Sequence, residues 1–248
     1  MSKVLLITGG GRGIGAATAL LAAEKGYAVG VNYRSNEAAA AAVVARIEKA
    51  GGQALALKAD IAREEEVLRL FAELDEKLGP IDALVNNAGI VEQQTRIEGI
   101  DQARLERVFA TNVFGSFTCA REAVKRMSTR HGGQGGAIVN VSSAASRIGS
   151  AGSYIDYAAS KGAIDTFTLG LAREVAAEGI RVNAVRAGMT FTEIHADGGE
   201  PDRVARRQGS LPMLRGAQPE EIARTIVFLL SEEASYITAA LVDAAGGL

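Results

Sequence analysis

The chain has 248 residues, long for one domain but within the range of a single α/β unit burying a large core. Its 48% apolar and 23% charged residues are ordinary for a globular protein, and a net charge of −2 argues against nucleic acid or an anionic membrane surface as partner. A single cysteine, Cys119, excludes an intrachain disulfide, and no apolar run approaches a signal core or a membrane span, so a cytoplasmic location is expected.

Short β-rich runs alternate with helical patterns from end to end. The strands are predicted at KVLLIT (3–8), YAVGVNY (27–33), QALALKAD (53–60), DALVNNA (82–88), AIVNVSS (137–143), IRVNAVR (180–186) and ALVDAA (240–245). Between them lie helical stretches such as EAAAAAVVARIEKAGG and EEEVLRLFAELDEKLGP, each closed by Gly or Gly-Pro. Most strands are apolar at nearly every position, as expected when helices cover both faces. This alternation predicts a Rossmann-type, doubly wound three-layer α/β fold with a mostly parallel seven-stranded sheet, one domain over residues 1–248. The stretch 189–213, MTFTEIHADGGEPDRVARRQGSLPM, is polar and poorly periodic. It follows the carboxyl end of a strand, where open α/β sheets bind ligands, and is read as a substrate lid.

Thr8 to Gly15 reads TGGGRGIG, with five glycines between an apolar strand and an alanine-rich helix. At such a turn, glycines allow backbone N–H groups to approach a pyrophosphate, and the new helix presents its positive end to that charge. Gly9, Gly13 and Gly15 carry this dinucleotide reading; a tight turn without ligand is the alternative. The second strand runs out as VNYRSNE, with no carboxylate before Glu37. An acidic residue there meets a free ribose 2′-OH, whereas arginine meets a 2′-phosphate. Arg34 and Ser35, with Arg12 from the glycine loop, therefore favour NADP(H), with NAD(H) also possible. The competing reading makes Arg34 a solvated loop residue and Ser35 or Asn36 a helix cap.

SYIDYAASKGAIDTFTLGLAREVAAEG predicts a long amphipathic helix on which Tyr157 and Lys161 are one turn apart. A phenol with a pKa near ~10 is a poor acid–base group at neutral pH. An ammonium about 4 Å away interacts with it by roughly 4 kcal/mol at an effective dielectric of ~20, enough to bring the phenol near working pH. The alternative is a surface pair with the lysine stem packed on the ring. Tyr154 has Ala158 one turn on and therefore no such partner.

Taken together these motifs resemble the short-chain dehydrogenase/reductase family over nearly the whole length. Thr8–Gly15 matches its TGxxxGxG loop, Asn86-Asn87-Ala88-Gly89 its NNAG motif, and Tyr157-Ala158-Ala159-Ser160-Lys161 its YxxxK pair. The resemblance implies a catalytic tetrad. Tyr157 would be the general acid or base, Lys161 would tune it and bind the nicotinamide ribose, Ser143 would hold the substrate oxygen, and Asn112 would anchor a relay water. It also implies cofactor contacts from Gly9, Arg12, Gly13, Ile14 and Gly15, from Asp60 and Ile61 at the adenine, from Asn87, Ala88 and Gly89 at the ribose, and from Gly188, Thr190 and Thr192 near the nicotinamide. The implied activity is NADP(H)-dependent hydride transfer between nicotinamide and a carbonyl or secondary alcohol. NAD-linked sugar dehydrogenation and non-catalytic redox sensing are the alternatives. A homotetramer is implied, with the TNVFGSFTCAREAVKRM and Tyr157 helices in one interface.

Two features depart from the family pattern. Ser143 precedes Tyr157 by 14 residues, slightly more than usual, which leaves Ser142 as a substitute. Ala187-Gly188 stands where the family has Pro-Gly, so a looser turn is expected beside the nicotinamide. His195 is expected to be exposed in the lid, His131 to close a helix beside a glycine, and no metal site is expected. The substrate-selecting residues are expected in 189–213 and in VEQQTRIEGID (91–101).

Overall fold

The computed structural model describes residues 2–248. All seven expected strands form: β1 (Val4–Ile7), β2 (Ala28–Tyr33), β3 (Ala54–Lys58), β4 (Ala83–Asn86), β5 (Gly136–Ser143), β6 (Ile180–Ala187) and β7 (Leu241–Ala244). They join one sheet in the order β3-β2-β1-β4-β5-β6-β7. Every neighbouring pair is parallel, so the sheet is wholly rather than mostly parallel.

Why the strands are apolar throughout is plain from β1. Leu5 and Ile7 join one core cluster, Val4 and Leu6 the other, and none is more than 3% exposed. The first cluster is completed by α1 (Gly13–Glu24), α2 (Glu37–Lys49) and α10 (Pro219–Leu230), the second by α3 (Glu64–Lys77), α5 (Ser116–Met127) and α7 (Ile155–Val175). Helices thus cover both faces. Shorter helices complete the chain: α4 (Gln102–Phe109), α6 (Ala145–Ile148), α8 (Ile194–Asp197) and α9 (Arg203–Arg207).

Strand order reverses between β1 and β4, which opens a crevice beyond their carboxyl ends. The glycine loop, the NNAG turn and the start of α6 all lie there, because each directly follows β1, β4 or β5. The helix expected over 111–127 begins instead as a π-helical turn, Ala110–Gly115, before α5. Gly115 sits where a Cβ would meet Ile61 at 2.8 Å, so the turn packs directly on the segment after β3. The stretch 189–213 is more ordered than its pattern suggests: it holds α8, α9 and a 3₁₀ turn at Gln208–Ser210. No helix among the described residues is long and apolar enough to cross a membrane.

Candidate active site

A cleft of about 870 Å³ runs along the sheet's carboxyl edge, and every residue expected at the site except Gly15 and Asn112 lines it. Its floor is the glycine loop. Gly9 and Gly13 have φ of 62° and 51°, the left-handed region that side chains disfavour. Gly15 is required by crowding: a Cβ there would lie 2.4 Å from the Gly9 carbonyl oxygen and 2.6 Å from the Asn87 amide. The loop is fixed from below. Asn87 Nδ2 donates to the carbonyls of Thr8 and Gly9 at 2.9 and 3.0 Å, and the Thr8 hydroxyl accepts from the backbone of Asn87 and Ala88. Asn32 Oδ1 accepts from Gly9 N–H at 3.2 Å. Gly15 and Asn87 therefore shape the loop from behind.

The first turn of α1 carries no acidic residue of its own and points its positive end at the cleft, where a Glu193 carboxylate oxygen would lie 3.5 Å from a Cβ at Gly13. A pyrophosphate fits that cradle, and the cleft extends past it on both sides. Toward β2 it is lined by Arg34 and Ser35, both exposed, and toward β3 by Asp60 and Ile61. Asn36, not Ser35, caps α2 by accepting from Ala39 N–H at 3.0 Å. The Ser35 hydroxyl is thus not needed as a cap. Arg12 forms an ion pair with Asp197 of α8, tying the glycine loop to the 189–213 segment.

On the other side stand Ser143, at the end of β5, and Tyr157, in the first turn of α7, both half-buried. Lys161, one turn on, is 4% exposed, and its Nζ donates to the Val141 carbonyl at 2.7 Å. Burial pushes its ammonium down to about 8, with Asp165 acting the other way. Tyr157 departs from expectation. Burial raises its phenol above the ordinary tyrosine value, with the nearby Ser143 hydroxyl pulling it back. The ammonium lies 5.6 Å from the ring centroid and is not the leading influence on the phenol. Ser142 is 1% exposed and donates to the Lys161 carbonyl at 3.3 Å, whereas Ser143 is the more open of the two.

Asn112 is fully buried in the π-helical turn. Its amide is spent within the protein: Nδ2 donates to Ile90 O and Ser160 Oγ at 3.0 Å each, and Oδ1 accepts from Ile90 N–H at 2.8 Å. It thereby links the segment after NNAG to α7. Gly89 permits this closeness, since a Cβ there would sit 3.4 Å from both Asn112 Oδ1 and Lys161 Nζ.

Part of the 189–213 segment lines the cleft. Thr190 and Thr192 line it, and the Thr192 methyl would be 3.1 Å from a Cβ at Gly13. His195 is half-buried rather than exposed, because its ring is held 2.9 Å from the Thr190 carbonyl. Ala187, where the looser turn is expected, ends β6 in register with Ser143 and Ala244. Tyr154, set aside in the sequence for want of a lysine, is 6% exposed under the segment, with the Arg203 guanidinium 4.8 Å over its ring. Glu92 and Gln93, from the 91–101 stretch expected to help select the substrate, line the cleft, as does Arg107, which no local motif marked.

A wholly parallel doubly wound sheet with this loop, turn and Tyr–Lys pair defines a nicotinamide-dependent oxidoreductase, and the chain belongs to the short-chain dehydrogenase/reductase family. The family described as enoyl-(acyl carrier protein) reductase matches residues 9–248. An oxidoreductase of Escherichia coli K12 known as YgfF, itself uncharacterised, is 57% identical over 98% of this chain and 99% of its own. The 3-oxoacyl-[acyl-carrier-protein] reductase FabG of Staphylococcus aureus Mu50 is 36% identical over 100% of this chain and 98% of its own. In the solved structures, 3-ketoacyl-(acyl-carrier-protein) reductase from Brucella melitensis, complexed with NADH, superposes with a TM-score of 0.91 at 32% identity. That match covers 99% of this chain and 97% of the other. The protein is thus an enzyme acting on C=O or CH–OH groups.

Proposed function

We propose that the protein is an NADP(H)-dependent carbonyl reductase, working as a single domain with residues 189–213 as its lid. The observation that carries this is that Ser143, Tyr157 and Lys161 share one cleft with the glycine loop. A bound reduced nicotinamide supplies a hydride to the carbonyl carbon. Tyr157, kept neutral by burial, donates its phenolic proton to the carbonyl oxygen as charge develops there, and the Ser143 hydroxyl donates a second hydrogen bond to the same atom. Lys161 places a cation behind the phenol and stabilises the phenolate left by proton transfer. Asn112 holds the Ile90 backbone against α7, and so keeps the Tyr157 helix in place beside the NNAG turn.

Selection of the 2′-phosphate is assigned to Arg34 and Ser35, with Arg12 as a third contact once it leaves Asp197. Arg34 makes no ion pair among the described residues, so its charge is available. Phe117, 47% exposed and stacked on Phe167 at 3.8 Å, joins Phe114 in an apolar face of α5 and α7 that suits a homotetramer.

The test follows cofactor consumption over ketones, diketones, aldehydes and sugars with NADPH and NADH in parallel. NADPH-preferring turnover that collapses in Tyr157→Phe and shifts to NADH in Arg34→Glu supports the reading. Equal use of both cofactors would refute the assignment of Arg34, and turnover indifferent to Tyr157→Phe would refute the mechanism.

A further inference from the structure

Beside the cleft lies a side cavity of about 290 Å³. Ile148, Ser150, Met189, Arg203 and Leu248 line both spaces, so the two adjoin. The side cavity's character differs from that of the cleft. Two guanidinium groups of α9, Arg203 and Arg207, stand one turn apart in its wall, with Ser153 and Ser210. Among the described residues no acidic side chain lines it. Apart from Ser150, the side chains of the rest of the wall are apolar, chiefly Ile148, Met189, Leu211 and Leu248.

The arginines are held differently. Arg203 is 8% exposed, its guanidinium resting over Tyr154 and its Nη1 paired with Glu200. That single carboxylate is shared with Arg206, so the cluster keeps a positive excess. Arg207 is exposed and, among the described residues, has no carboxylate partner. Leu248, whose carboxylate pairs with neither arginine, is the other charged group at the wall. A buried, aromatic-backed guanidinium beside an unpaired one is a forked donor set suited to a carboxylate or phosphate.

We propose that this cavity is an anion subsite, and that the substrate is a carbonyl compound whose anionic group is separated from the carbonyl by an apolar segment. The proposal rests on the carbonyl-reductase reading and names the substrate class of that site. Ser143 and Tyr157 take the carbonyl in the cleft, Ile148, Met189 and Leu211 take the apolar segment, and Arg203 with Arg207 takes the charge.

A homologous series of straight-chain oxo acids, each beside its methyl ester, tests this with NADPH, and 3-oxoacyl-coenzyme A is the phosphate-bearing arm. The variants are Arg207→Gln and Arg207→Glu, at an exposed position outside the catalytic set. For at least one chain length, kcat/KM for the anion should exceed that for its neutral counterpart by about tenfold or more, mainly through KM. Added salt should shrink this ratio, Arg207→Gln should lower it, and Arg207→Glu should invert it while leaving ester turnover unchanged. A preference confined to the coenzyme A thioester and abolished in Arg207→Glu would make phosphate the anion. Equal rates for acids, thioester and esters, or a ratio that Arg207→Glu leaves unmoved, would overturn the subsite while the reductase stands. If no carbonyl is turned over, the reductase reading fails, and calorimetric titration of the oxo acids then decides the subsite alone. Binding lost in Arg207→Glu supports it, and absence of binding overturns it.

Discussion

Arg104 grips Asp156 with two N–H donors along one edge of its guanidinium, Nε to Oδ2 at 2.6 Å and Nη2 to Oδ1 at 3.2 Å, while Nη1 donates to the Gln93 carbonyl at 2.7 Å. Asp156 is the residue before Tyr157, and both partners are buried. One side chain of α4 therefore joins the first turn of α7 to the segment after NNAG. Removing one member of such a pair strands a buried charge, at a cost of about 3–5 kcal/mol, whereas an exposed pair is worth at most about 1 kcal/mol. Arg104→Leu should lower the urea midpoint far more than Lys77→Ala, which breaks an exposed helix pair with Glu73. The double variant Arg104→Leu, Asp156→Leu should recover much of the loss. Equal midpoints for the two single variants would refute this account.

Lys161 gives a prediction in pH. Its folded-state value, about 8, lies below the ordinary 10.5. Between those values the unfolded chain holds a proton that the folded chain has released, so stability rises with pH across that window. The rise amounts to as much as about 3 kcal/mol at ~1.36 kcal/mol per pH unit. Below pH 8 both states are protonated and the cost of burying the cation is fully present. In the cofactor-free protein, Lys161→Met should match or exceed wild-type stability at neutral pH, and its advantage should shrink from about pH 8 upward. Parallel stability–pH curves for the two proteins would contradict this.

Gly15→Ala isolates the cofactor cradle. The added methyl would meet the Gly9 carbonyl and the Asn87 amide, both backed by hydrogen bonds, so the loop itself must shift. Nicotinamide cofactor affinity, read from the fluorescence of bound NADPH, should fall by tenfold or more. Global stability should drop less than in Arg104→Leu. Unchanged affinity would mean that the loop is more pliable than its packing suggests.

Cys119 should be inert. It is fully buried on the core face of α5, and its thiol is pushed up to about 12, chiefly by burial. Maleimide labelling at pH 8 should proceed only as fast as the protein unfolds, and should become rapid in urea. Prompt labelling of the native protein would disprove it.

The strands and the three local motifs are legible in the sequence because they depend on neighbours along the chain. An apolar run covered on both faces reads the same anywhere, and Tyr157 and Lys161 need only a helix to share a face. What stayed hidden depends on residues far apart in sequence. Arg104 and Asp156 are 52 positions apart and Arg12 and Asp197 are 185, and no spacing rule links either pair. The direction of the Tyr157 shift was misjudged for the same reason: proximity of a cation is a local quantity, whereas burial is set by the whole fold. His195 is expected outside as a loop histidine, yet a single carbonyl, that of Thr190, holds the ring at the cleft.

Two of the side-chain contacts that hold the 189–213 segment lie three residues apart. Asp197 reaches Arg12 on the cofactor side, and Glu200 reaches Gln94 and Tyr154 on the substrate side. The two sides of the cleft therefore share one clasp. On the proposed lid reading, a ligand that draws Arg12 away should slacken the hold on the other side as well, and thermodynamic linkage would make the influence mutual. Occupancy of one side would then be a message to the other, carried by a strip of chain a single turn long.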